Sequence, residues 1–65
     1  MGTEIVVTYE SEVLGSGEFW RGPAERIPEI RNIVARKMAR EVARTGKPVT
    51  VGMWRVSLAS GEKEE

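Results

Sequence analysis

The sequence predicts a small α+β protein in which one long amphipathic helix packs on one face of a three-stranded sheet. Two observations lead to this fold class. Apolar residues recur at three- and four-residue steps between residues 27 and 46, the period of one helical face. β-Branched and aromatic residues are concentrated before and after that segment, as is typical of strands. The predicted order is a β-hairpin, the helix and a C-terminal strand (ββαβ).

Residues 4–10 form the first predicted strand, because β-branched and aromatic side chains fit a pleated, half-buried surface. Three of its residues share one face: Ile5, Val7 and Tyr9. The strand can extend to residue 14. Residues 15–17, Gly-Ser-Gly, are then expected to form a short hairpin loop, since glycine adopts positive φ angles readily. A short second strand over residues 18–21 completes the predicted hairpin.

The helix is predicted to begin near Pro28, because proline is favoured at the first helical position. Glu29 then lies in the first turn and Arg44 in the last, where the helix dipole favours an anion and a cation respectively. Gly46 is expected to end the helix, and Pro48 prevents its continuation. Its apolar face is predicted to comprise Ile27, Ile30, Ile33, Val34, Met38 and Val42.

The last strand, over residues 49–59, does not alternate regularly. Val49 and Val51 point to one face under uniform pairing, whereas Trp54 and the apolar residues after it point to the other. A bulge at residues 52–53 would bring all of them onto one face, and burial of both faces is the alternative. A right-handed crossover then favours the sheet order 2-1-3. A β-grasp-like sheet, with the last strand parallel to the first, is the alternative topology.

The length of 65 residues indicates one domain, which we place at residues 1–60, followed by a polar disordered tail at 61–65. A domain of this size buries only about 60% of its unfolded surface and is marginally stable. Small chains often need disulfides, a metal or a second subunit. The chain contains no cysteine, histidine or aspartate. We therefore predict no metal site and no cofactor, and we expect a homodimer.

The same composition argues against catalysis. Without histidine or cysteine, neither Ser-His nor Cys-His pairs exist, and residues 15–17 lack the longer glycine pattern of a phosphate-binding loop. We therefore expect a protein that is not an enzyme. The N-terminus has no basic region followed by an apolar one, and no apolar run approaches the roughly 18 residues of a membrane span. A cytoplasmic location without a membrane partner is the expectation.

Six cations face two anions between residues 27 and 47, although the net charge of the whole chain is zero. Arginines at positions 36, 40 and 44 form a row of four-residue steps. The predicted contact residues for a partner or nucleic acid are Arg36, Lys37, Arg40, Arg44 and Lys47. Three interpretations are open: a solvated helix face, a contact with an acidic protein surface, and binding of nucleic-acid phosphates. Zero net charge argues against the third.

Two pairs of large apolar neighbours, residues 19–20 and 53–54, fall on predicted strands. Adjacent strand residues face opposite sides of a sheet, and a single helix covers only one side. We therefore expect one large apolar group of each pair on the uncovered face, where it would form a subunit interface. The predicted interface residues are Trp20, Met53 and Trp54. Stacking of the tryptophans on single-stranded bases is the alternative.

Together these patterns predict a small interaction module that acts on a macromolecular partner through its basic helix or an exposed sheet face. Proteins of this size often act as viral or accessory regulatory factors that occupy a surface on a larger protein. Two alternatives belong to other classes. One is a nucleic-acid-binding protein that uses the arginine row, and the other is a small enzyme or ligand carrier whose site forms between subunits.

Overall fold

The computed structural model of the protein describes residues 3–59. Its elements are β1 (Glu4–Ser11), β2 (Gly15–Pro23), a 3-10 helix (Ala24–Glu29), α1 (Ile33–Thr45), β3 (Val49–Val51) and β4 (Trp54–Leu58). All strand pairs are antiparallel, the sheet order is β2-β1-β4-β3, and α1 packs on one face. The predicted α+β class is confirmed, although the sheet has four strands rather than three. The predicted tail at 61–65 lies outside the described residues.

The first hairpin turns earlier than predicted. Its turn comprises residues 12–14, and the Gly-Ser-Gly segment at 15–17 belongs to β2. The Ser11 hydroxyl oxygen accepts hydrogen bonds from the backbone N–H groups of Val13 and Leu14, both at 3.1 Å. Gly15 follows with a φ of 89°, which glycine adopts at low energetic cost. The serine-stabilised turn therefore ends β1 before the two apolar residues that were expected to extend it.

The second strand contains a bulge at Phe19. Val7 pairs with Trp20 and Thr8 with Glu18, so Phe19 is an extra residue between them. The bulge interrupts the alternation of faces, and the Phe19 ring packs against Trp54 on the face that α1 covers. For residues 19–20, the expectation of one large apolar group on the uncovered face was therefore wrong. The strand register places other residues on the uncovered face: Glu4, Val6, Thr8, Glu18, Arg21, Arg55 and Ser57.

Between Pro23 and α1 the chain forms a 3-10 helix that contains Pro28, so the prediction that the main helix starts near Pro28 was wrong. α1 begins at Ile33 because Asn32 caps it. The Asn32 side-chain oxygen accepts hydrogen bonds from the N–H groups of Val34 (2.9 Å) and Ala35 (3.0 Å), a preferred arrangement at a helix N-terminus. Glu29 consequently lies outside α1, whose first turn contains no acidic residue.

The predicted end of the helix is confirmed. Gly46 has a φ of 80°, in the left-handed region that glycine favours after a helix. Its N–H donates to the carbonyl oxygen of Val42 at 2.7 Å. Three residues then lead from α1 to the start of β3.

A tight turn, rather than a bulge, resolves the irregular alternation of the last segment. Gly52 (φ 59°) and Met53 join β3 to β4, and a positive φ at the first position alone matches a type II′ turn. Val51 consequently faces Trp54, and the apolar residues of both strands share one face. β4 pairs with β1 in the predicted antiparallel sense. The β-grasp-like alternative, which needs parallel pairing there, is excluded.

The core lies between the sheet and the two helices. Its buried residues are Ile5, Val7, Ile27, Ile30, Ala35, Met38, Ala39, Val42 and Val56. Ala35 and Ala39 are fully buried on the side of α1 that faces the core. With these two alanines turned toward the core, Ile33 and Val34 remain 55% and 41% exposed, although the sequence pattern placed both on the apolar face.

Candidate functional site

Three of the large apolar side chains with high exposure belong to the first hairpin, two in its turn and one at the bulge of β2. Val13 is 89% exposed, Leu14 is 69% exposed and Phe19 is 41% exposed. Half-buried side chains of β1, β4 and the turn before β4 lie beside them: Tyr9, Met53 and Trp54. We call these six residues the hairpin patch. Five of them line one hollow, and Val13 is next to Leu14 in the turn. Grouped apolar surface of this kind marks interaction sites.

An aromatic cluster forms the base of the hairpin patch. The Trp54 ring meets the Phe19 ring edge-to-face, with centroids 4.8 Å apart, and the Tyr9 ring in the same manner at 6.4 Å. Such contacts hold the rings in preferred orientations. A hollow of about 370 Å³ lies here and is lined by Tyr9, Leu14, Phe19, Met53 and Trp54. The hollow is large enough to accept an apolar side chain of a partner.

The exposed turn is held in place by the fold. The β1–β2 ladder continues to the pair Ser11–Gly15, whereas β4 pairs with β1 only as far as Tyr9. The turn therefore projects beyond β4. Its conformation is fixed by the two hydrogen bonds to the Ser11 hydroxyl oxygen. The Glu10 N–H also donates to the Met53 carbonyl oxygen at 2.9 Å, which joins the ends of the two hairpins.

The surroundings of the hairpin patch are acidic. The chain carries four glutamates and no lysine or arginine before Arg21. Arg21 pairs with Glu18 at 3.1 Å and with Glu4 at 3.3 Å, and hydrogen bonding to these carboxylates raises the pKa of its guanidinium. Glu10 and Glu12 are exposed, and neither side chain forms an ion pair within residues 3–59. Glu12 lies in the turn next to the apolar surface, whereas Glu10 alternates to the uncovered face of the sheet.

The arginine row predicted on α1 divides into three different environments. Arg36 is half-buried and donates to the Ile30 carbonyl oxygen at 3.0 Å, so it joins α1 to the segment before it. Arg44 pairs with Glu41; hydrogen bonding and charge in this pair lower the pKa of the Glu41 carboxyl and raise that of the Arg44 guanidinium. Arg40 is exposed to solvent. The row is therefore not a single functional unit.

A different set of residues forms the outer side of α1. Ile33, Lys37, Arg40 and Arg44 follow one another at four-, three- and four-residue steps, opposite the buried residues of the helix. All four are exposed. We call them the helix ridge. The structure thus brings together three of the five predicted cations, whereas Arg36 lies to one side and Lys47 lies beyond the helix end.

The three residues predicted for a subunit interface also lie in two different parts of the structure. Met53 and Trp54 belong to the hairpin patch. Trp20 instead packs against the edge of the core, and its ring lies over Gly22, where a Cβ atom would be 2.9 Å from the ring. Val13 and Leu14, the most exposed apolar residues of the hairpin patch, were not predicted as contact residues. The sequence signal for their turn was a serine followed by a glutamate, two apolar residues and a glycine at positions 11–15.

A second depression, of about 510 Å³, is lined by residues that the strand register places on the uncovered face, among them Thr8, Glu10, Thr50 and Arg55. Glu10 and Arg55 contribute its charged groups. Within residues 3–59, no three side chains that could ligate a metal come together. No helix in the same part of the chain is long and apolar enough to cross a membrane.

Comparisons of the chain with protein families, with curated proteins and with solved structures find no match. The surfaces described above therefore carry the functional inference.

The two environments of Arg36 and Arg40 predict different effects on stability. Arg36→Gln is expected to lower the free energy of unfolding by about 1 kcal/mol, because a half-buried carbonyl loses its charged donor. Arg40→Gln is the matched control and should change stability by less than about 0.5 kcal/mol. Urea denaturation of both variants measures the difference. Equal effects would contradict a structural role for Arg36.

Proposed function

We propose that this protein is a small non-enzymatic interaction module that binds a protein partner through the hairpin patch. The observation that carries the proposal is the exposure of Val13 and Leu14 on a turn that hydrogen bonds hold in one conformation. We further propose a cytoplasmic location and a viral or accessory regulatory role, in which the module occupies a surface on its partner.

The energetics of the turn support this proposal. Burying a valine or leucine side chain completely is favourable by about 1.5–3 kcal/mol relative to leaving it exposed. Because the turn holds Val13 and Leu14 in place, a partner that buried them would gain this free energy at a reduced entropic cost. Trp54 and Tyr9, which line the same hollow as Leu14, are of the residue types that most often dominate binding energy at interfaces. The hairpin patch thus combines exposed apolar area with a rigid aromatic base.

The charges beside the hairpin patch indicate the chemistry of the partner. The carboxylates of the first hairpin, of which that of Glu12 lies in the turn itself, would repel an acidic surface and attract a basic one. An apolar side chain flanked by lysines or arginines therefore suits the hollow. A nucleic acid does not, because its phosphates would approach these carboxylates.

The test compares the wild type with the double variant Val13→Ser/Leu14→Ser. Proteins captured from the source cells would be identified by mass spectrometry, and the affinity of the purified partner would then be measured by calorimetry. We expect the double variant to bind about tenfold more weakly or worse, because two central apolar contacts are lost. Val6→Thr, on the opposite face of the sheet, is the matched control and should bind as the wild type does. Equal affinities for all three proteins would refute the proposal.

Binding of nucleic acid through the helix ridge is the second candidate function. The observation that favours it is the placement of Lys37, Arg40 and Arg44 on one exposed side of α1. Lysines and arginines so placed neutralise phosphates and give an affinity that falls steeply with salt. A nucleic-acid complex that survives Val13→Ser/Leu14→Ser and dissociates when salt is added would favour this alternative.

A further inference from the structure

We infer that the hairpin patch of one molecule docks on the helix ridge of a second copy, and that a symmetric dimer repeats this contact twice. The inference rests on the proposed function, because it names an occupant for the same patch. Three properties of the described residues support it: apolar match, charge match and placement.

The apolar match comes from the start of α1. Ile33, on the helix ridge, is 55% exposed, and Val34 beside it is 41% exposed. The chain therefore carries two separate apolar surfaces that its own fold leaves in contact with solvent. Contact between them in two copies would remove both from water, which is favourable by about 25 cal/mol for each Å² of apolar area.

The charged side chains on the two surfaces have opposite signs. Glu12 lies in the exposed turn of the hairpin, next to Val13, whereas Lys37 and Arg40 belong to the helix ridge. The whole chain is neutral, with ten cations and ten anions, so two copies carry no net repulsion. Complementary charge of this kind orients two molecules as they associate, and it disfavours arrangements of the dimer that bring like charges together.

The placement allows both contacts to form in one dimer. Phe19 and Trp54 lie on the face of the sheet that α1 covers, and the helix ridge is the outer side of that helix. Both surfaces therefore face the same side of the molecule. A two-fold axis can then bring each hairpin patch to the ridge of the other copy. A stable interface buries about 800 Å² of surface per partner, which is more than one turn supplies. The dimer therefore needs both copies of the contact to bury enough area.

Pairing of sheet edges is a weaker alternative for self-association. β2 is the longer edge strand, but the bulge at Phe19 interrupts its hydrogen-bonding pattern and Pro23, at its end, has no N–H to donate. β3, the other edge, contains only three residues. Bulges, proline and short length are the features that protect edge strands from pairing.

The test uses two charge-reversal variants of the full chain, Glu12→Lys and Lys37→Glu. Sedimentation at micromolar concentrations should show a dimer for the wild type. Each variant alone should dissociate about tenfold more readily, because like charges meet at both contacts. An equimolar mixture should recover the wild-type dissociation constant within about threefold, since both contacts of the mixed dimer pair opposite charges.

Recovery in the mixture also shows that each variant is folded, and circular dichroism provides a second check. Glu25→Lys, an exposed reversal on the 3-10 helix, is the control and should leave the dimer unchanged. A monomeric wild type, a dimer insensitive to both reversals, or a mixture no more associated than its components would overturn the inference. If the wild type is monomeric while Val13→Ser/Leu14→Ser loses a foreign partner, only the self-docking inference fails. If those serine substitutions weaken neither self-association nor the binding of a foreign partner, the proposed function fails as well.

Discussion

Replacing Ile5 by alanine is expected to lower the free energy of unfolding by about 2–5 kcal/mol. Ile5 is fully buried at the centre of the sheet, where β1 pairs with both β2 and β4. Truncating its side chain removes apolar contacts and leaves a cavity that the strands on either side cannot fill. The effect is large for this chain, because a domain of 65 residues has a total stability of about 3–10 kcal/mol.

Urea denaturation followed by circular dichroism measures this loss. Val6→Ala is the matched control, because Val6 is the adjacent residue on the uncovered face of the sheet and is only half-buried. We expect Val6→Ala to reduce stability by about 1 kcal/mol or less. A similar loss for both variants would mean that a second copy or a partner covers the other face as well.

Replacing Trp54 by alanine is expected to cause the second large loss of stability. Trp54 packs against the core, pairs with Tyr9 and Val51 across the sheet, and meets the ring of Phe19. Truncating it should lower the free energy of unfolding by about 2–4 kcal/mol, somewhat below the value for a fully buried tryptophan. The same substitution removes the base of the hairpin patch, so binding through the patch should weaken with it.

A double-mutant cycle with Phe19→Ala separates the aromatic contact from general loss of packing. The coupling energy between positions 19 and 54 should be about 0.5–1.5 kcal/mol, the range for edge-to-face aromatic pairs. Phe19→Ala alone should have the smaller effect, because Phe19 is more exposed. A coupling energy near zero would contradict the aromatic cluster.

Local patterns in the sequence were sufficient to predict the fold class and one end of α1. The period of the apolar residues, together with a glycine and then a proline after residue 45, identified the helix and its C-terminus. The beginning of the helix was missed because two prolines and an asparagine compete there. Asn32 determines the start, since its side chain accepts hydrogen bonds from two N–H groups of the first turn that have no partner within the helix.

Tertiary structure decided which face each apolar residue occupies and therefore where the candidate site lies. A bulge at Phe19 and a two-residue turn at Gly52 each change the face of the residues that follow, and such shifts depend on pairing with distant strands. The sequence by itself determined the residues from which the surfaces are built: the apolar pair at 13–14, the glutamates before Arg21 and the cations of α1. Only the packed structure grouped them, because strand register and the rotation of α1 on the sheet arise from contacts between residues far apart in the chain.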